Sequence, residues 1–190
     1  MASHQVLIVG PGGGQKLTTQ SAGWIKAGGN VVAIGLDEAD TNAWLPFKVS
    51  MKKAEHIAAY FESSGMDSPL VGIGPADVHN RDPRQLPLVV AGARIAGDGV
   101  LAQADRANVV FCQLAPWQFE GTASNLRRTH RHVSFLVSRL LANVGVVGTT
   151  PLLDRFHQAV DAVKPEKRWS NGLYLDQPEE WDDPYRFFRW

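Results

Sequence analysis

The sequence predicts one α/β domain with a mainly parallel sheet covered by helices, on three observations. Two short β-branched runs, "QVLIVG" from Gln5 and "NVVAIGL" from Asn30, are apolar on both faces, as strands sandwiched between helices must be. A helical pattern lies between them, which makes a strand-helix-strand unit with a right-handed crossover. A long stretch, "SNLRRTHRHVSFLVSRLLANVG", carries apolar residues at helical spacing from Leu126 to Val144. At 190 residues, 44% of them hydrophobic, the chain is long enough to bury one good core.

The elements follow in order. Residues 1–5 read as a leader, the domain as 6–168, and the last 22 residues, 169–190, as a tail. The first strand enters the glycine loop "PGGG". A helix from Gln15 to Ala27 then turns Leu17, Trp24 and Ile25 inward and stops at Gly28-Gly29. "MKKAEHIAAYFESSG", Met51 to Gly65, predicts another helix, with Ala54, Ile57, Ala58 and Phe61 on one side. Prolines at 69, 75, 83 and 87 predict an extended loop region rather than long regular elements. "GDGVLAQADRANVVFCQL" predicts two strands joined by a polar turn at Asp105 to Asn108. Ser124 or Asn125 can cap the long helix and Gly145 stops it, and "PLLDRFHQAVDAV" begins with a first-turn proline and predicts one more helix. The tail holds seven aromatics, Trp181 and Tyr185 among them, so it is expected to pack on the domain or on a partner.

Bulk properties narrow the function. Nineteen basic and nineteen acidic residues give no net field, so nucleic acid and anionic membranes are not expected partners. No run approaches the roughly 20 apolar residues of a membrane helix, and the start lacks a basic n-region and a cleavage site. A single cysteine excludes an internal disulfide and a cysteine metal cluster.

Five candidates for chemistry remain. In "GPGGGQ", Gly12, Gly13 and Gly14 follow a strand and precede a helix, and Asp37 stands where a ribose-binding acid would in a dinucleotide fold. Gln15 breaks the last glycine position and no Gly-Lys-Ser/Thr follows, so a tight structural turn is favoured and a nucleotide module is kept as an alternative. Cys112 sits between Phe111 and Gln113, without the small neighbours or following helix of a nucleophile elbow, and is read as apolar packing; a cysteine hydrolase is the other alternative. His130 and His132, two apart on a helix, cannot share one ion, and a solvated helix face accounts for them. The loop "DVHNRDP" clusters Asp77, His79, Asn80, Arg81 and Asp82 at an expected sheet edge, where they either hydrogen-bond a sugar or partner or staple the loop. Trp117, just past the Cys112 strand, either stacks on a sugar or seals the sheet against the tail.

These segments resemble a known family. "WIKAGGNVVAIGL" is similar to the helix, Gly-Gly, strand step of class I glutamine amidotransferase-like domains, the flavodoxin-like modules inside large bacterial glycoside hydrolases of the β-galactosidase type. "GDGVLAQA", "NVVFCQLAPWQF", "RRTHRHVSFLVSRLLANVG" and "YLDQPEEWDDPYRFFRW" look like the C-terminal end of such proteins. Active amidotransferases carry a glycine-flanked cysteine and a His-x-Glu pair. Here Cys112 lacks the glycines, and His130-Arg131-His132 and His157-Gln158-Ala159 make no such pair. The resemblance therefore implies a flavodoxin-like three-layer scaffold without the glutaminase and without a cofactor or metal. It implies an accessory or assembly domain whose partners are a neighbouring catalytic domain, a like subunit or carbohydrate, met through Asp77, His79, Arg81, Asp82, Trp117, Trp181 and Tyr185.

Overall fold

The two β-branched runs lie side by side as neighbouring parallel strands. A computed structural model of the chain describes residues 6–146, apart from 18, 63, 66, 106, 107, 124 and 125. The expected helix from Pro151 and the aromatic tail, with Trp181 and Tyr185, lie outside the described residues, as do Ser124 and Asn125. β1 (Val6–Val9) pairs in parallel with β2 (Asn30–Ile34), and α1 (Thr19–Lys26) connects them. β2 pairs in parallel with β7 (Val109–Cys112), on which β6 (Leu101–Gln103) and then β5 (Arg94–Ala96) add antiparallel, giving the order β1-β2-β7-β6-β5. Reversal twice over sets β5 along β7, so four of the five strands point one way and β6 alone is reversed. The expected β6-β7 hairpin is present, and the sheet is mixed.

Both faces of the sheet are covered at its centre, β2 and β7, while the edge strands leave Ile8 of β1 and Ile95 of β5 exposed, so β1 is not buried on both faces as its sequence predicts. Alternate residues point to opposite faces of a strand. Val32, Ile34, Val110 and Cys112 pack with Val133, Leu136, Val137 and Leu140 of α3 (Arg127–Asn143). Val31, Ala33, Val109 and Phe111 pack the other way, with Ile25 of α1, Trp44 of α2 (Glu38–Trp44) and Val89. α3 ends as its sequence predicts: Gly145 takes φ 90°, and Val146 N–H reaches back to Leu141 O at 2.9 Å. Among the described residues no helix is long and apolar enough to cross a membrane.

Two expectations fail in the middle of the chain, and they fail together. Met51 to Gly65 is not a helix: β3 (Ser50–His56) pairs antiparallel with β4 (Arg84–Ala91) in a separate two-stranded sheet. The Lys, Ala and Glu residues of this stretch favour a helix weakly, by tenths of a kcal/mol each. A ladder to the β-branched run "LPLVV", over 30 residues away, outweighs that preference, which is why local periodicity misreads it. Nor is the proline-rich region all loop. Pro87 sits inside β4 opposite Lys53, a position open to proline because a two-stranded sheet has only edge strands. β4 then lies against the main domain, close enough that a side chain on Gly99, at φ 91°, would overlap the Val89 backbone.

Candidate functional site

The carboxyl ends of β1, β2 and β7 converge on Trp117. Gly10 follows β1 and Gly35 follows β2; a Cβ on Gly35 would stand 3.3 Å from Trp117 Cζ2, and one on Gly10 4.0 Å from its Cη2. The indole therefore lies across both strand ends, at the edge where open α/β sheets keep their ligand crevice. It is 57% exposed, unusual for the largest apolar side chain.

The turn beneath it is rigid for reasons visible in "LAPWQF". Pro116 fixes the first φ of a single 3₁₀ turn, Pro116–Gln118. Gln118 Oε1 accepts the Ala115 N–H at 2.9 Å while its Nε2 donates to Gln113 O at 2.9 Å. Phe119 is buried, with the Arg84 guanidinium 4.9 Å above its ring, and Arg84 Nε donates to Gln118 O at 3.4 Å. From α3, His130 Nδ1 lies 3.1 Å from both Pro116 O and Phe119 O. Two carbonyl oxygens can only accept, so Nδ1 carries the proton. His130 and His132 are thus not a solvated face. Both are half-buried, and His132 Nε2 lies 3.0 Å from Asp77 O.

The loop from Asp77 to Asp82 joins this end through α3. Thr129 donates its hydroxyl to Asp82 Oδ2, one residue before the histidine that holds the tryptophan turn. Asp77 Oδ2 accepts the Gly74 N–H at 2.8 Å. Asn80 is buried, donating its N–H to Ile57 O at 2.6 Å and accepting from Asp82 N at 3.1 Å. The two carboxylates and the amide staple the loop, and its exposed members are His79 and Arg81. Arg84, Gln118 and His130 are the supporting residues that sequence reasoning missed. Only Gln118 left a signal, as the third residue of a turn that a proline opens.

The glycine loop has local uses for its polar groups. Asp37 caps α2, its Oδ1 accepting Asp40 N–H at 2.8 Å. Asp40 Oδ2 in turn accepts the Gly12 N–H at 2.7 Å, the kind of donor a nucleotide phosphate would need. Gly14 is buried against α2, where a Cβ would overlap Asp40 O. Gly13 folds back on its own loop, donating to Gly10 O at 2.9 Å. These contacts favour the structural turn.

Cys112 is fully buried and its Sγ donates to Leu114 O at 3.1 Å. Burial pushes the thiol from 9.0 up to about 12. A thiol reagent at about pH 8 is therefore expected to label the native chain far more slowly than the urea-unfolded chain, since only about one thiol in ten thousand is ionised at that distance from its pKa. Folded and unfolded states both hold this proton below about 9, and between there and 12 only the folded state does. Stability should then fall with rising pH above about 9, by on the order of 1 kcal/mol per pH unit, and Cys112→Ala should flatten that slope. Native labelling as fast as unfolded labelling would show the thiol to be accessible.

Among the described residues no group of His, Cys, Asp and Glu is placed to hold a metal ion. Comparison of the chain with protein-family models, with curated proteins and with solved structures gave no match.

Proposed function

We propose that the chain is a non-catalytic accessory or assembly domain of a larger bacterial carbohydrate-active protein, built on the flavodoxin-like three-layer scaffold of the amidotransferase-like modules. Its working surface is the carboxyl edge around Trp117, which meets a sugar ring or the neighbouring catalytic domain. The observation that carries this reading is a largely exposed indole on a turn braced from three sides, at the edge where such sheets bind ligands. A protein gains nothing in stability by holding an exposed tryptophan this firmly, whereas a stacking platform gains affinity from pre-organisation. Support also comes from the burial of the only cysteine, which leaves no accessible thiol for a glutaminase. Helices on both faces of the sheet suit the scaffold.

Lactose and a β-linked galactan, as probes, are expected to show saturation transfer from the protein in solution, with Trp117→Ala weakening binding about tenfold or more, equivalent to 1.4 kcal/mol. An exposed side chain can be removed without loss of fold, so that result reports on the surface itself. Turnover of a glycoside or of glutamine by the chain alone, or saturation transfer unchanged in Trp117→Ala, would overturn the reading.

A further inference from the structure

Three arginines directly precede the residues that tie α3 and the loop to the Trp117 turn: Arg127 and Arg128 come before Thr129 and His130, and Arg81 comes before Asp82. Arg127 and Arg128, in the first turn of α3, and Arg81, in the adjoining loop, are all exposed. The nearby carboxylates already serve local donors: Asp82 takes the Thr129 hydroxyl, Asp77 the Gly74 N–H, and Glu120 the Thr122 hydroxyl at 2.9 Å. An exposed aromatic with exposed arginines on the neighbouring elements suits a ligand that is both acidic and aromatic, because carboxylates pair bidentately with guanidinium and rings stack on indole.

The chain contains such a stretch. "YLDQPEEWDDPY", Tyr174 to Tyr185, holds Asp176, Glu179, Glu180, Asp182 and Asp183, no lysine or arginine, and Trp181 among them. Reach is no obstacle. α3 leaves the site and ends at the opposite edge of the sheet, where Asn30 Nδ2, at the start of β2, donates to Val144 O at 3.2 Å. The way back is about 25 Å, the length of a helix the size of α3. The 27 residues from 147 to 173 can span up to roughly 90 Å.

We propose that residues 174–185 are a ligand of the Trp117 surface within the same chain, their carboxylates pairing with Arg81, Arg127 and Arg128 while Trp181 packs on Trp117. The contact goes beyond the accessory-domain reading and needs neither a sugar nor a parent protein. It makes the tail a competitor for Trp117, displaced when the domain meets its outside partner.

The test is limited chymotryptic cleavage of the full chain after Trp181 and Tyr185, followed by mass spectrometry. In the wild-type chain both bonds should be cut about tenfold more slowly than in a free synthetic peptide of residues 174–190, which contains both. Protection should be lost in R127E/R128E, in R81E, and in about 0.5 M salt, where exposed charges are screened. Acidic residues in a first helical turn are favourable, so R127E/R128E keeps α3 intact. Combining R127E/R128E with E179R/E180R should restore the protection. Cleavage at the free-peptide rate, or protection indifferent to the arginine reversals, overturns the contact. Protection that vanishes on dilution overturns it too, by assigning the tail to a second copy. The cleavage assay contains no sugar, and competition by the tail would weaken lactose binding rather than change its dependence on Trp117, so each reading can fail without the other.

Discussion

Phe111→Ala is expected to destabilise the domain by about 3–5 kcal/mol, the ordinary cost of deleting a buried aromatic ring. Phe111 is fully buried at the middle of β7, and its register partners are Ala33 on β2 and Ala102 on β6. Two small neighbours leave the ring to fill the space beneath Trp44 and Val89, and neither alanine can move in to close the cavity. Against a typical total of about 5–15 kcal/mol this is a large fraction, and for a chain of this size it lowers the melting temperature by roughly 10 °C. Phe111→Leu, which keeps most of the volume, should cost about 1–2 kcal/mol. Urea unfolding of the two variants measures both. A Phe111→Ala cost under about 1 kcal/mol would mean that β7 is not the centre of the sheet. The consequence for the site is direct, since the chain leaving β7 runs through Leu114 into the turn that carries Trp117.

What could be read beforehand was whatever the chain encodes locally. β2 and β7 announce themselves because burial on both faces demands uninterrupted apolar runs, and α3 because a helix covering a sheet needs a continuous stripe; β1 carries the same kind of run, yet as an edge strand it leaves Ile8 exposed. β3 was illegible: Lys52, Lys53 and Glu55 face solvent and only the partner strand, far along the chain, makes the stretch extended. The site divides the same way. Trp117 could be located from its place after a strand. The histidine beneath its turn could not, because "THRHV" looks like a polar helix face until Pro116 O and Phe119 O are brought to it. The loop acids were legible as a cluster, but only the fold shows that Asp82 faces Thr129 and Asp77 its own turn.

Gly14→Ala is the second large effect, and it separates the two meanings of the glycine loop. A methyl group at Gly14 would overlap the carbonyl oxygen of Asp40 and stand 2.6 Å from Trp44 Cδ1. Neither is the free end of a flexible chain: one is helix backbone, the other a buried ring whose helix Asp37 caps. Relief requires α2 to shift as a body, so the expected cost is about 3 kcal/mol or more, at the upper end for over-packing. Gly12 is the internal control. It takes φ 71° with nothing within 4 Å of a Cβ, so Gly12→Ala should cost only about 1 kcal/mol, the backbone penalty of a left-handed residue. A phosphate-cradling loop would invert the pattern in binding: both substitutions would abolish a thermal shift by NAD or ATP, whatever they did to stability. A packing loop gives no nucleotide-induced shift in the wild-type chain, and a stability difference of about 2 kcal/mol between the two alanine variants. That difference arises because the Gly14 backbone meets α2 while the Gly12 N–H, which alanine retains, is held by Asp40.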